Sequence, residues 1–287
     1  MRGPTSRPAL VALAPAAVVV ATLLAAGVLV PLLEAFRDQD EGRLFTIDHV
    51  AAVLGASGFL ASFALTVWVS LASTALTVVL AVVTALALRR MRRLQRFVTL
   101  VYQLPLTIPH MVLAVAAIML VSQSGLLSRV LTVSGLIGGP AQFPELVYDR
   151  RGVGIILVYV WKQVPFVGLI ALSVLQTVGE DYEAVARTHG AGPLRTIRHV
   201  LVPLVMPGLL PAGVIVFAFV FGAFEVPLLL GARYPSMLSV LAYRLYADVD
   251  LTLRPQAMAL SFLIAVVVLT LAGVYRTIAG AERESPP

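Results

Sequence analysis

Two ionisable side chains, Lys162 and Glu225, interrupt long apolar runs. A charge inside a membrane span is costly and normally faces a bundle interior or a wet cavity. Both residues are therefore candidates for lining a substrate path. At 1.5 Å per helical residue they lie roughly 13 Å (Lys162) and roughly 8 Å (Glu225) below the outer face. A long lysine could equally reach Glu225 in a structural ion pair, or snorkel outward. Other chemistries are excluded by residue type. The chain has no cysteine, which removes thiolate nucleophiles and thiolate metal sites. Lys162 is the only lysine, so a phosphate-binding loop of the form Gly-x-x-x-x-Gly-Lys-Ser/Thr cannot be built. His49, His110, His189 and His199 are scattered without the His-Glu-x-x-His spacing of a zinc site. No Gly-x-Ser-x-Gly nucleophile elbow is present. The chain is expected not to be an enzyme and to hold no catalytic residue, metal or cofactor of its own. If ATP drives it, separate subunits bind the ATP.

A second constellation lies between two apolar runs. Asp181, Tyr182, Glu183, Ala184, Val185, Ala186 and Arg187 read as a short helix, punctuated by Gly190 and Gly192-Pro193. Pro203 follows Gly190 by thirteen positions, with Val200 three residues before the proline. A short helix ending at a glycine turn is a compact knob that can seat in a partner's groove and carry rigid-body motion. Gly190 would supply a left-handed backbone position, and Ala184 and Ala186 would allow close approach. Pro203, Pro207 and Pro211 recur every four residues and predict a bent start to the next span. His189 and His199 flank the segment, as a pH switch or as plain surface histidines.

The elements that must position these residues are membrane helices. Of the 287 residues 59% are hydrophobic and 13% charged, which places the chain outside the soluble class. Six stretches reach spanning length: Ala9–Pro31, Ala61–Leu88, Val98–Val121, Val153–Leu175, Gly208–Leu230 and Ala257–Tyr275. They are continuously apolar, which favours helices over a barrel. The first run is longer than the usual signal-peptide core and reads as a retained span. With the N-terminus inside, the inner segments carry 12 Arg and five acids, net +7, and the outer ones eight Arg and nine acids, net −1. This asymmetry predicts both termini in the cytoplasm, and it accounts for the basic character without nucleic acid. The expected fold class is all-α, a six-span polytopic membrane protein. Residues 1–60 hold the first span and outer loop, 61–280 the core with a long inner loop over 176–207, and 281–287 a short tail. The second outer loop carries an amphipathic piece, Leu126–Val133, before a break at Gly138-Gly139-Pro140.

The stretch from Glu183, EAVARTHGAGPLRTIRHVLVPLVMPG, resembles the cytoplasmic loop of the membrane permeases of binding-protein-dependent ABC importers. The family pattern is Glu-Ala-Ala, three residues, Gly, nine residues, Ile-x-Leu-Pro. Aligned on Gly190, it places Ala184, Val185 and Ala186 at the Glu-Ala-Ala positions. Val200 and Val202 then fall at Ile and Leu, and Pro203 at Pro. Glu183 stands one residue before the family glutamate. The resemblance, which covers residues 60–275, implies an ATPase-coupling loop comprising Glu183, Ala184, Val185, Ala186, Arg187, Gly190, Val200 and Pro203. It also implies two cytoplasmic ATP-binding subunits, a second permease chain (identical or related), and a soluble substrate-binding protein on the outer face. The segments from Leu104 and from Phe219 to Gly231 are similar to the polyamine, ferric-iron and thiamine branch. A sugar importer shares the same loop. An ion-gradient-driven transporter, with Lys162 and Glu225 as coupling residues and broken helices near mid-membrane, is the reading from a different class.

Overall fold

The computed structural model describes residues 7–37, 45–91, 95–177 and 179–284, and those residues contain helices and no strand. Arg2, Arg92 and Arg93 of the inner charge set, Asp38, Asp40, Glu41 and Arg43 of the outer set, and residues 285–287 of the tail lie outside the described residues. In chain order the helices are α1 (Arg7–Phe36), α2 (Asp48–Gly55), α3 (Phe59–Leu88), α4 (Gln95–Thr107), α5 (His110–Val121), α6 (Leu126–Val133), α7 (Val153–Thr177), α8 (Gly179–Thr188), α9 (Pro193–Thr196), α10 (Val202–Gly222), α11 (Glu225–Leu230), α12 (Leu238–Tyr246) and α13 (Arg254–Glu284). Six segments are long and apolar enough to cross a membrane: Leu13–Phe36, Phe59–Leu88, His110–Val133, Val153–Thr177, Pro193–Gly222 and Leu251–Thr277. The chain is an all-α, multi-pass membrane protein.

Helix α7 is the axis of the bundle, with 67% of its spanning window buried against 0% for that of α1. Lipid tails are as apolar as leucine, so helices in a bilayer associate through close packing and polar contacts. α3 supplies the close approach. Ser62, Thr66, Ser70, Ser73, Thr77, Ala81 and Ala85 recur every three or four residues along one buried face. α7 packs beside this helix in parallel. Near its start the Trp68 indole N–H donates to the Arg151 carbonyl at 3.0 Å. At the far ends Arg89 and Glu183 meet in an ion pair. Gly168 of α7 leaves room for Tyr102, whose hydroxyl donates to the Val164 carbonyl at 2.9 Å and lies 2.8 Å from Thr84 Oγ1. α1 sits at the edge, where Ala35 is buried and Phe36 meets Phe262 edge-on at 5.5 Å.

Two spans differ from their sequence-based limits. The run Val98–Val121 is not one helix but α4 and α5, broken at Ile108-Pro109. Pro109 has no N–H to donate and disfavours a helical Ile108, so the ladder stops and restarts at His110. The run Gly208–Leu230 likewise divides into α10 and α11, because Ala223 is extended (φ −72°, ψ 136°). The Ala223 carbonyl freed there accepts a hydrogen bond from Ser239 Oγ at 2.7 Å. Non-helical backbone at membrane depth needs such partners. The inner loop is also shorter than 176–207, since Pro203 and Pro207 already belong to α10. The amphipathic piece Leu126–Val133 is helix α6 with those same limits.

Candidate functional site

The segment flagged as a knob is helix α8, and its end follows from Gly190. The Gly190 N–H donates to the Arg187 carbonyl at 3.0 Å, and the Ala191 N–H to the Ala186 carbonyl at 3.0 Å. These two bonds are a Schellman C-cap, which needs a left-handed residue; Gly190 has φ of 75°. After α9 the chain winds through one π-helical stretch, Ile197–Leu201, where the Val202 N–H donates five residues back to the Ile197 carbonyl. Pro203 lacks the N–H that would reach His199 in an α-helix, and its ring would press on that carbonyl. The wider turn relieves this conflict and forms the bent start to α10. Val200 is half-buried in this stretch and Pro203 is exposed.

Glu183 does not face solvent freely. Its carboxylate pairs with the Arg89 guanidinium at the end of α3, and the two side chains are 24% and 9% exposed. Gly179 makes the approach possible, since a Cβ there would stand 3.1 Å from Arg89 Nη1. The pair ties the knob to the bundle, while Ala186 is buried beneath it. Exposed on α8 are Glu180, Asp181, Tyr182, Ala184, Val185, Arg187 and Thr188. Leu194 of α9, 79% exposed, adds a third large apolar group to Tyr182 and Val185 at this end. An open groove of about 470 Å³ runs alongside, lined by Ala186, His189, Ala191, Arg195, His199 and Val200. The His189 and His199 Nδ1 atoms lie 2.9 and 3.1 Å from the Val185 and Arg195 carbonyls one turn back.

The two membrane charges have separate fates. Lys162 is 6% exposed, and its ammonium donates to the Pro105 carbonyl at 2.9 Å and the Ile108 carbonyl at 2.5 Å. It thus caps the negative end of α4, where helix carbonyls lose their partners. No described carboxylate pairs with it, so the Lys162–Glu225 ion pair considered from sequence is not formed. The reason is the break at Pro109, which puts unpartnered carbonyls nearer than any acid. Glu225 instead opens α11 and lines a cavity of about 220 Å³ with His110, Tyr159, Phe219, Ala223 and Phe224. His110 opens α5, so both helix breaks meet at this cavity. Tyr159 is fully buried, and neither its hydroxyl nor His110 Nε2 has a partner among the described residues. Sequence reasoning overlooked His110 and Tyr159. Ile108-Pro109 was the available signal for the first, and nothing local marked the second. It also counted Arg89 only as a topological charge.

The six-span bundle thus carries a capped short helix at one end and a small cavity between two broken helices. Residues 77–279 match the family of binding-protein-dependent transport system inner membrane components, and the chain belongs to it. It is similar to the molybdenum transport system permease protein ModB of Mycobacterium tuberculosis, 31% identical over 204 residues, 71% of this chain and 73% of that one. ModB of Azotobacter vinelandii is 29% identical over 192 residues, 67% of this chain and 81% of that one. In fold it matches a chain of a bacterial ABC transporter involved in alginate import, with a TM-score of 0.76, 18% identity and 96% of each chain covered. The chain is therefore a permease subunit of an ABC importer that works with a binding protein, placed in the plasma membrane. These relatives name molybdenum and alginate, not the polyamine, ferric iron or thiamine suggested by the short motifs near Leu104 and Phe219.

Proposed function

We propose that this chain forms half of the solute pathway of an ATP-driven importer of molybdenum, carried as its tetrahedral oxyanion. A second permease chain completes the pathway. Two ATP-binding subunits close on ATP and push on α8 from the cytoplasm. The arginine-bearing ends of α3 and α8 and both termini face that side. The observation that carries the reading is the 31% identity to a molybdenum permease across 71% of this chain. The geometry agrees with it: an exposed apolar tip (Tyr182, Val185, Leu194) stands on a helix tied to the bundle by Arg89–Glu183, so a push at the tip is transmitted to α3. The test is purification of the tagged chain in mild detergent with mass spectrometry of what accompanies it. An ATPase and a soluble binding protein loaded with molybdate are the expected companions; a polyamine, iron, thiamine or sugar in that binding protein would replace the cargo.

One observation favours a second class. Broken helices, as at Pro109 and Ala223, also occur in ion-coupled transporters. A chain that elutes alone and moves solute on an ion gradient without ATP would establish that class instead.

A further inference from the structure

At the end of the bundle opposite α8 lies an open pocket of about 670 Å³. Its walls carry three arginines, Arg150, Arg233 and Arg244, all exposed, and no carboxylate lines it. None of the three is ion-paired to a described acid. The nearest acid in sequence, Asp149, is engaged elsewhere: its Oδ2 accepts the backbone N–H groups of Arg151 at 3.1 Å and Val153 at 2.9 Å, at the start of α7. Asp248 and Asp250 are likewise bonded within their own turn. Arg244 is held in place by donating from Nη1 to the Arg233 carbonyl at 2.8 Å. Deeper in the pocket are two serines, Ser62 at 2% exposure and Ser236 at 5%, whose hydroxyls bond to no described residue. The N-terminus of the 30-residue α3 also opens here, with Gly58 giving no side-chain cap and no acid in the first turn.

We propose that this pocket is an oxyanion-binding vestibule on the outer face, which receives a tetrahedral dianion before it enters the pathway. The inference rests on the oxyanion cargo and the orientation proposed above. A dianion with four oxygens needs donors from several directions. Guanidinium forks bind oxyanions through paired, charge-assisted bonds and shed water more readily than ammonium groups. The serine hydroxyls supply donors from below, and the N-terminal end of α3 adds its positive dipole there. A compact ion reaches those buried hydroxyls beneath the arginine rim, whereas an acidic side chain of a docking protein meets the rim first.

The experiment uses the permease assembled with its ATPase in lipid nanodiscs, without binding protein, titrated with sodium molybdate and then with sodium sulfate. Saturable binding is expected, weakened about 10-fold or more by Arg233→Gln and by Arg150→Gln, and several-fold by Ser236→Ala. Melting temperatures of the variants should stay near wild type, since both arginines are exposed. Absence of saturable binding overturns the vestibule, as does a triple Arg150/Arg233/Arg244→Gln variant that binds like wild type. So does a variant set that loses only its affinity for the binding protein, which would make the arginines a docking contact. Molybdate uptake measured in parallel separates the two proposals. Uptake without pocket binding removes the vestibule alone, and arginine-dependent binding without uptake of any oxyanion removes the cargo assignment alone.

Discussion

Replacing Gly190 separates strain in the α8 turn from obstruction at its tip. Gly190 has φ of 75°, and no atom lies within 4 Å of the position a Cβ would take. Alanine therefore adds no clash and carries only the left-handed backbone penalty of about 1–2 kcal/mol. Asparagine tolerates that region and costs less. Glutamate has the backbone cost of alanine plus a charged side chain projecting from the tip. A strain of one or two kcal/mol changes an equilibrium by roughly 5- to 30-fold. If the tip seats in a groove of an ATPase subunit, Gly190→Asn stays near wild type and Gly190→Ala loses at most that factor. Gly190→Glu abolishes ATP-driven uptake into proteoliposomes. Membrane insertion and basal ATPase activity of the complex should persist in all three, because the turn is exposed and outside the bundle, and any fall in melting temperature should be the same for alanine and glutamate. Normal uptake with Gly190→Glu would refute the coupling role. Equal losses in the alanine and glutamate variants would place the effect in the turn and not in the seat.

Other predictions follow from the same contacts. Lys162→Met removes the cap of the Pro105 and Ile108 carbonyls and should destabilise the chain by about 3 kcal/mol, read as a lower melting temperature in nanodiscs; Glu225→Gln, which breaks no hydrogen bond present in the structure, should leave that temperature near wild type while changing uptake. The Arg89–Glu183 pair is partly buried, so a double-mutant cycle with Arg89→Gln and Glu183→Gln should return a coupling energy of about 1–2 kcal/mol in thermal or denaturant unfolding; a value near zero would mean that α8 is held by Ala186 packing alone. Gly168→Ala places a methyl group against the Tyr102 hydroxyl and should cost about 1–3 kcal/mol in unfolding experiments. Adding Tyr102→Phe should recover part of that cost, and a double variant less stable than the single one would contradict the collision.

Much of the fold is written in apolar run length. A span needs about 20 apolar residues whatever it packs against, so six spans were legible without knowing a contact. The breaks were not, although the sequence held their cause. Pro109 in a long apolar run marks either a kink or a stop, and only the Lys162 ammonium on the carbonyls of α4 makes the stop affordable at that depth. Pro227 carried a sharper signal: as the third residue of α11 it needs no helical N–H, which argues for a helix starting at Glu225 rather than one running through it. The α8 helix and its glycine end were legible because the left-handed cap is a local rule. The partner of Glu183 was not, because Arg89 lies 94 residues away and only the parallel packing of α3 and α7 brings it near. Likewise the only pairing weighed for Lys162 was with an acid, since acids can be seen in a sequence and unpartnered carbonyls cannot.

What drives uptake through this chain separates an ATP-driven importer from an ion-coupled transporter. The direct measurement is molybdate accumulation in proteoliposomes containing the permease with its ATPase, with binding protein outside and ATP inside. Accumulation that requires both ATP and the binding protein, and is unchanged when proton and sodium gradients are collapsed, is the predicted result. Accumulation that proceeds without ATP on an ion gradient would contradict it.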